Sequence, residues 1–289
     1  MKLKSLNAKP SSFLQDKIVS ETYLPFEQIV KKNIGTKKFV ACISGGADSL
    51  ALAYCSQRYS EAYKNKVFYL IVDHNIRKNS AKEAQSVKKN LLKISAKLNI
   101  LTIKDTISKS IQKNARDHRY KLLSNFCKKN KVSHMLTAHH LDDQIENFYI
   151  RLSRGSGLYG LSSMTANEKN KDNINVLRPF LNLAKEKLVH VARKVFKTFV
   201  KDPSNVNDKF LRSRIRKLKS SLAKEGLDQS RILKTISNLN TAKDAIDFYV
   251  KQSQKKHIHL VNNNKVMIDR KLFMSQPMEI TYRVMADLI

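Results

Sequence analysis

The sequence is poor in cysteine, with only Cys42, Cys55 and Cys127 among its 289 residues. No two of them form a Cys-x-x-Cys pair, and an odd number cannot all be bridged. This usage argues against a disulfide framework and against a structural zinc site. It favours a reducing compartment, so we expect a cytoplasmic protein.

Long apolar runs are also absent, since no stretch approaches the roughly 18 residues that a membrane span requires. We therefore expect no membrane partner. Residues 1–14 are basic but contain no long apolar segment, which argues against a secretory signal. No acidic residue precedes Asp16, so import into an organelle is the alternative to a cytoplasmic location, and residues 1–25 are predicted to be a leader.

Acidic residues are scarce, because 24 Asp and Glu stand against 55 Lys and Arg and give a net charge of +31. Such an excess attracts polyanions, and by charge alone RNA, DNA and anionic membranes would all suit the chain. Compositional drift explains part of the lysine excess, since Lys and Asn abound throughout. It does not explain the arginine clusters described below.

The most informative segment is an apolar run at residues 39–43 that leads directly into Ser-Gly-Gly-Ala-Asp-Ser at residues 44–49. A helical pattern follows at Leu50, so backbone N–H groups, two hydroxyls and a helix N-terminus converge on one point. Such a concavity suits a phosphate or pyrophosphate. Asp48 repels phosphate unless a Mg²⁺ ion lies between them. No lysine follows as in a Walker sequence, and the segment resembles the loop of the ATP pyrophosphatases.

Short apolar runs at residues 39–43, 67–73, 99–103 and 134–138 alternate with helical patterns at about 50–63, 80–97 and 111–130. This alternation predicts an α/β fold with a Rossmann-like, mostly parallel sheet covered on both faces. Polar residues follow the runs, at the strand ends where such sheets bind ligands. A loop is predicted at about 165–175, a helix at about 183–198 and a turn at 202–205. A smaller, mainly helical domain with few strand signals is predicted after Phe210.

The second strong segment is Thr-Ala-His-His-Leu-Asp-Asp-Gln-Ile-Glu-Asn at residues 137–147. If a helix begins near Leu141, Asp142 and Glu146 share a face, and His139 lies close to Asp143 at its start. An acidic cluster in so basic a chain suggests Mg²⁺, an amine substrate, or both. The structural alternative is that these carboxylates complement the helix dipole.

Arginines recur at helical spacing, which suits an RNA backbone, although a solvated helix face is the alternative. The candidates for phosphate or tRNA contact are Arg116, Arg119, Arg151, Arg154, Arg212, Arg214 and Arg216. Gly155-x-Gly157-x-x-Gly160 matches the dinucleotide fingerprint by spacing only. A predicted helix precedes it where the fingerprint needs a strand, so it is interpreted as a loop.

Taken together and in order, these segments resemble the tRNA(Ile)-lysidine synthases over residues 37–219. The resemblance includes residues 72–77, Ala115-Arg116-x-x-Arg119-Tyr120, residues 151–161, Arg178-Pro179, Asp202-Pro203-Ser204-Asn205 and Arg212-x-Arg214-Ile215-Arg216. Two departures are the absence of the Trp that often precedes Asp-Pro-Ser-Asn, where this chain offers Phe199, and Asn147 where relatives often have Thr. The segment from residue 220 matches only weakly.

The resemblance implies a ligase that uses ATP and Mg²⁺ to join L-lysine to C2 of the wobble cytidine of tRNA(Ile) with a CAU anticodon. By position it implies Asp48, His139 and Asp143 as catalytic residues, with Asp48 holding the metal. It implies Asp142, Asp143 and Glu146 as candidates for binding lysine or metal. The implied ATP-binding residues are Ser44, Gly45, Gly46, Ala47, Asp48, Ser49, Asp73 and His74.

The implied organisation is a leader at 1–25, a PP-loop ATP-binding catalytic domain at 26–217 and a helical tRNA-binding domain at 218–289. The chain ends at Ile289 inside a predicted amphipathic helix, so a further module beyond it is also expected. A homodimer is left open. The alternatives are a PP-loop tRNA thiolase, a small-molecule amidotransferase of the same fold, and a non-catalytic RNA-binding protein.

Overall fold

The computed structural model describes residues 15–73, 80–102, 111–200, 211–262 and 265–288. His74 and the turn predicted at 202–205 lie outside these residues. The described chain divides into two compact units, and each unit is made of two separate stretches of the sequence. The first unit comprises Met1–Gln144 and Met164–Ser213, and the second comprises Ile145–Ser163 and Arg214–Ile289.

The helices of the described residues are α1 (Lys17–Asn33), α2 (Ala47–Tyr63), α3 (Ser80–Leu92), α4 (Ile111–Lys129), α5 (Leu141–Leu152), α6 (Leu158–Leu161), α7 (Lys185–Phe196), α8 (Leu211–Lys224), α9 (Gln229–His257), α10 (Lys271–Ser275) and α11 (Met278–Ala286). The strands are β1 (Phe39–Ile43), β2 (Val67–Asp73), β3 (Leu98–Thr102), β4 (His134–Leu136), β5 (Asn167–Lys169), β6 (Asn175–Leu177), β7 (Ile258–Asn262) and β8 (Lys265–Ile268). The first helix therefore begins inside the predicted leader.

The first unit is built on a six-stranded sheet with the spatial order β3-β2-β1-β4-β6-β5. Every neighbouring pair is parallel except β5 with β6. The predicted α/β fold with a mostly parallel sheet is confirmed. Strand β1 has β2 on one side and β4 on the other, so the order of connection reverses there. Open α/β sheets bind ligands at such a switch point, beyond the carboxyl ends of the strands.

Both faces of this sheet are buried, as parallel sheets require. Phe39 and Ala41 of β1 point into a core shared with α1, α2 and α7, whereas Val40 points to the opposite core beside α4. Helix α2 is buried over most of its circumference because it packs against both the sheet and α7. This burial explains why its start is held firmly next to the end of β1.

Two strand pairs were missed by the sequence prediction. The loop predicted at 165–175 contains β5 and the start of β6, which form an antiparallel pair. All three residues of β5 are exposed and polar, so the sequence lacks the alternation of apolar and polar residues that predicts a strand. The second unit likewise contains an antiparallel hairpin of β7 and β8, although few strand signals were read after Phe210.

The second unit is otherwise helical, as predicted. Its apolar cluster consists of Val250 from α9, Leu272 from α10, and Ile280 and Val284 from α11. Tyr149 of α5 donates its hydroxyl to the Leu227 carbonyl at 3.0 Å. No helix in the described ranges combines the length and the apolar character needed to cross a bilayer.

Candidate active site

The loop between β1 and α2 is a tight turn that only glycine can form at its centre. Gly45 has φ +87°, and a Cβ atom there would lie 2.5 Å from Cγ2 of Val87. The Gly45 N–H donates to Ser49 Oγ at 3.0 Å, and that hydroxyl donates to the Gly46 carbonyl at 2.9 Å. The predicted strand–turn–helix is thus present, and the first turn of α2 holds the turn in shape.

The predicted ATP-binding residues in the described chain lie at the carboxyl edge of the sheet. Ser44 is exposed beside the turn, whereas Ala47 is buried at the start of α2. Asp73 is buried at the end of β2, the strand next to β1. The helix α2 presents its N-terminal N–H groups at this edge, where they favour an anion.

His140 lies between two carboxylates at the same edge. Its Nε2 atom is 3.6 Å from Oδ2 of Asp48 and 3.5 Å from Oδ2 of Asp143. Its backbone N–H also donates to Asp143 Oδ2 at 3.1 Å, and its side chain is only 3% exposed. The residue that connects the loop to the start of α5 is therefore His140, which the sequence analysis did not select.

The charges of this cluster stabilise one another. Burial opposes a charged imidazole, but the Asp48 and Asp143 carboxylates outweigh burial and raise the pKa of His140 above 6.5. Burial would raise the pKa of Asp143, but the charges of His140 and His139 and the His140 N–H lower it below 3.8. Asp143 is therefore ionised at neutral pH.

His139, the predicted catalytic histidine, has a different environment. Its Nδ1 atom shares a 2.8 Å hydrogen bond with Thr137 Oγ1. Burial lowers the pKa of His139 to about 4, and the cations Arg178, Arg116 and Arg212 add to the shift while Asp143 opposes it. His139 is accordingly a neutral imidazole at pH 7.

Glu146 and Arg216, predicted respectively as a lysine or metal candidate and as a tRNA contact, are paired with each other. Arg216 Nε lies 2.5 Å from Glu146 Oε1, and Arg216 Nη2 lies 3.0 Å from Glu146 Oε2. Glu146 is 4% exposed. Both carboxylate oxygens are engaged by the guanidinium, and the binding of lysine or metal by Asp142, Asp143 or Glu146 stays a prediction. Asp142 is half-buried in the first turn of α5.

The other predicted arginines are exposed. Arg116 stacks on the Tyr120 ring, with its Cζ atom 5.2 Å from the ring centroid. The charges of Arg116 and Arg212 help to lower the pKa of His139, and their contact with phosphate or tRNA stays a prediction. Exposed arginines whose role stays a prediction are Arg119, Arg151, Arg154 and Arg214. The Gly-x-Gly-x-x-Gly spacing follows α5 and not a strand, which confirms that it is not a dinucleotide fingerprint.

Asp48 has the donor atoms expected of a magnesium ligand that shares its ion with a nucleotide. Its Oδ1 atom is buried and has no hydrogen-bond partner among the described residues. Among all the described residues, no three His, Cys, Asp or Glu side chains lie close enough together to hold a metal ion. Magnesium is usually held by one or two carboxylates together with substrate phosphates, so Asp48 fits this ion.

Comparison with known proteins connects this geometry to named relatives. The chain is 33% identical to a tRNA(Ile)-lysidine synthase of Orientia tsutsugamushi over 87% of its length and 58% of the relative. It is 41% identical to the enzyme of that name from Rhodopseudomonas palustris, over 65% of this chain and 55% of the relative. The chain thus spans little more than half the length of these relatives.

One solved structure confirms the fold. The U34-tRNA thiolase of Methanococcus maripaludis, solved with its [4Fe-4S] cluster, superposes with a TM-score of 0.62 at 20% identity. That superposition covers 77% of this chain and 78% of the thiolase. The profile of the ATP-binding PP-loop domain matches residues 20–222. The chain therefore belongs to the PP-loop domain family.

Proposed function

We propose that this chain ligates L-lysine to C2 of the wobble cytidine in tRNA(Ile) with a CAU anticodon, using ATP and forming lysidine. The relatives that bear this name support the proposal. The observation that carries it is the cluster of Asp48, His140 and Asp143, which sets two carboxylates beside the loop between β1 and α2. A phosphate loop and an anionic group for an amine are the two parts that such a ligation needs.

The chemistry proceeds in two displacements. The C2 oxygen of cytidine attacks the α-phosphorus of ATP, and pyrophosphate leaves. The lysine ε-amine then attacks C2 and expels AMP, and the amine loses a proton to a base. The first step is required because the C2 oxygen is a poor leaving group until it is esterified.

Different residues of the site act in the two displacements. The N-terminus of α2 and the loop around Gly45 hold the pyrophosphate that departs. A magnesium ion on Asp48 would neutralise the charge that builds on it. Asp143, kept ionised by its neighbours, holds the lysine amine at C2 and receives its proton only as the N–C2 bond forms, when the attached nitrogen becomes acidic. His139 is neutral and orients the amine beside Asp143.

This assignment implies roles for the remaining parts of the chain. The excess of basic residues attracts the tRNA, and the exposed side chains of Arg116 and Arg212 bind its phosphates. Residues 26–217 form the catalytic domain and residues 218–289 add tRNA contacts. The three unpaired cysteines agree with a cytoplasmic location, and a homodimer stays a prediction.

The test is incorporation of radiolabelled lysine into tRNA(Ile) with a CAU anticodon, with and without ATP, beside methionine tRNA. We expect ATP-dependent labelling of the isoleucine tRNA alone. Asp48→Asn and Asp143→Asn should each reduce labelling roughly 10²-fold or more. The matched control is Asp172→Asn, which removes a carboxylate paired with Lys128 on an exposed surface.

The alternative activities give different results. Cleavage of ATP to AMP that depends on tRNA but transfers no lysine would point to another nucleophile, as in a thiolase. Sulfur transfer is poorly served here because burial raises the pKa of Cys42 to about 12 and that of Cys127 to about 11. Binding of tRNA without any cleavage of ATP would indicate an RNA-binding protein.

A further inference from the structure

The segment 196–200, at the end of α7, runs along the loop between β1 and α2. The Val200 N–H donates to the Gly45 carbonyl at 3.0 Å, and Val200 Cγ2 would lie 3.3 Å from a Cβ atom on Gly45. We infer that Asn90 and Lys93 of α3 are positioning residues for ATP, because they fix this segment against the loop. The link to ATP rests on the proposed function, whereas the support of the loop does not.

Two hydrogen bonds connect α3 to the segment. Asn90 Nδ2 donates to the Thr198 carbonyl at 3.1 Å, and Lys93 Nζ donates to the Phe196 carbonyl at 3.0 Å. The partners are 108 and 103 residues apart in sequence, so the bonds belong to the tertiary structure. Asn90 is only 7% exposed. Its amide is costly to leave without an acceptor, which ties the segment to α3.

The backbone of the segment is strained at Lys197. This residue has φ +66° and ψ −41°, a combination that residues with a side chain rarely adopt. Strained conformations persist where the surrounding structure fixes the groups on either side. The carbonyls of Phe196 and Thr198, directly before and after Lys197, are the two groups that α3 binds. The hydrogen bonds from α3 therefore stabilise the turn at Lys197.

Apolar packing fixes only the two ends of the segment. Phe196 is fully buried in the core beside α2, and Phe199 and Val200 pack against the same core. Lys197 and Thr198 between them are exposed. The exposed middle is thus the part that depends on α3 for its position, and Val200 follows it directly.

Helix α3 also bounds the loop from the other side. Val87 Cγ2 would lie 2.5 Å from a Cβ atom on Gly45, so Gly45 lies between Val87 and Val200. Asn90 and Lys93 join these two walls to each other. A loop organised in this way before ligand binding leaves little ordering for ATP to accomplish. Loss of either bond should loosen the Val200 contact with Gly45 and weaken ATP binding.

The first measurement is hydrogen–deuterium exchange of the Val200 amide in the full chain without ATP. Asn90→Ala and Lys93→Met should each accelerate it about fivefold, the effect of losing one hydrogen bond. Lys93→Arg keeps a donor and should retain protection. Lys88→Met removes the same charge from an exposed position of α3 and should leave the exchange unchanged. Exchange of the Met135 amide in β4, which pairs with β1 and β6, reports any general loss of stability.

Equilibrium dialysis of ATP against the same variants tests the link to the nucleotide. Asn90→Ala and Lys93→Met should weaken ATP binding about fivefold. Lys93→Arg and Lys88→Met should bind ATP as the parent chain does, which separates positioning from the loss of a positive charge.

Three results would overturn the inference. Unchanged Val200 exchange in Asn90→Ala and Lys93→Met would refute the support of the loop, and so would an equal acceleration at Met135. Faster Val200 exchange with unaltered ATP affinity would refute the role for ATP. A parent chain that binds no ATP would instead refute the proposed function, while the exchange data would still decide whether α3 supports the loop.

Discussion

His140 and His139 are neighbours in sequence with opposite charge preferences. Two carboxylates raise the pKa of His140, whereas burial and three arginines lower that of His139. The sequence analysis paired His139 with Asp143, whereas the structure gives the contacts with the Asp143 carboxylate to His140. The sequence could not show that His140 bridges to Asp48, because that contact depends on how β1 and β4 lie side by side.

His140→Asn should move the acid limb of the pH–activity profile to higher pH. The substitution removes the positive charge that helps to lower the pKa of Asp143, so this carboxyl should protonate more readily. The profile of lysine incorporation against pH measures the shift. His134→Asn, which alters a buried histidine at the start of β4, is the control. An unchanged acid limb in His140→Asn would contradict the assignment.

His139 should make the fold sensitive to acid. Its pKa of about 4 lies below the ordinary 6.5, so the unfolded chain binds more protons between these values. The free energy of unfolding should therefore fall as the pH is lowered from 6.5 towards 4. Urea unfolding at several pH values measures this slope. His139→Asn should flatten it, and His118→Asn on α4 is the matched control.

At the scale of elements, two glycines of the short helix α6 differ in their surroundings: Gly157 caps its start and Gly160 lies within it. A Cβ atom on Gly160 would lie 2.6 Å from the Ser156 Cβ, whereas one on Gly157 would meet no described atom within 4 Å. Gly160→Ala should destabilise the second unit by about 1–3 kcal/mol through overcrowding. Gly157→Ala, the matched control, should be close to neutral. Urea unfolding of both variants provides the comparison, and equal effects would refute this explanation.

The pair of Glu146 and Arg216 joins α5 to α8 within the second unit. Glu146→Gln should destabilise the protein by about 1–3 kcal/mol, because it removes the charge of a buried carboxylate that faces the half-buried Arg216 guanidinium. The double variant Glu146→Leu with Arg216→Met should recover much of that loss, since no buried charge is left unpaired. Arg214→Gln, at an exposed position of α8, is the control. Urea unfolding of the parent chain, Glu146→Leu, Arg216→Met and the double variant gives the coupling energy of the pair.

The sequence predicted helices and strands correctly where they are buried, because burial leaves a recognisable pattern of apolar residues. The runs at 39–43 and 67–73 coincide with β1 and β2, because these central strands are apolar almost throughout. The exposed strands β5, β7 and β8 were missed, since their pairing is decided by hydrogen bonds to a neighbour and not by a buried face. The pairing of Glu146 with Arg216 was missed because 70 residues separate them.

For the whole molecule, the net charge of +31 predicts strong dependence of tRNA binding on salt. Raising the salt concentration from about 50 to 200 mM should weaken tRNA binding by roughly 10³-fold or more if six or more phosphates are contacted. Arg212→Gln should reduce the slope of log affinity against log salt by about 1 if this residue contacts one phosphate. Filter binding at several salt concentrations measures both, and Lys219→Gln tests whether any lost cation gives the same result.

The second unit is assembled from two separate stretches of the chain, and this arrangement has a consequence for synthesis. At about 5–20 residues per second, the 70 residues between Glu146 and Arg216 take the ribosome roughly 4–14 seconds to add. During that time the Ile145–Ser163 stretch is already made while its partners from Arg214 onward do not yet exist. The Glu146 carboxylate is therefore without its arginine during that interval, and the second unit cannot complete its fold until the residues from Arg214 onward have been made.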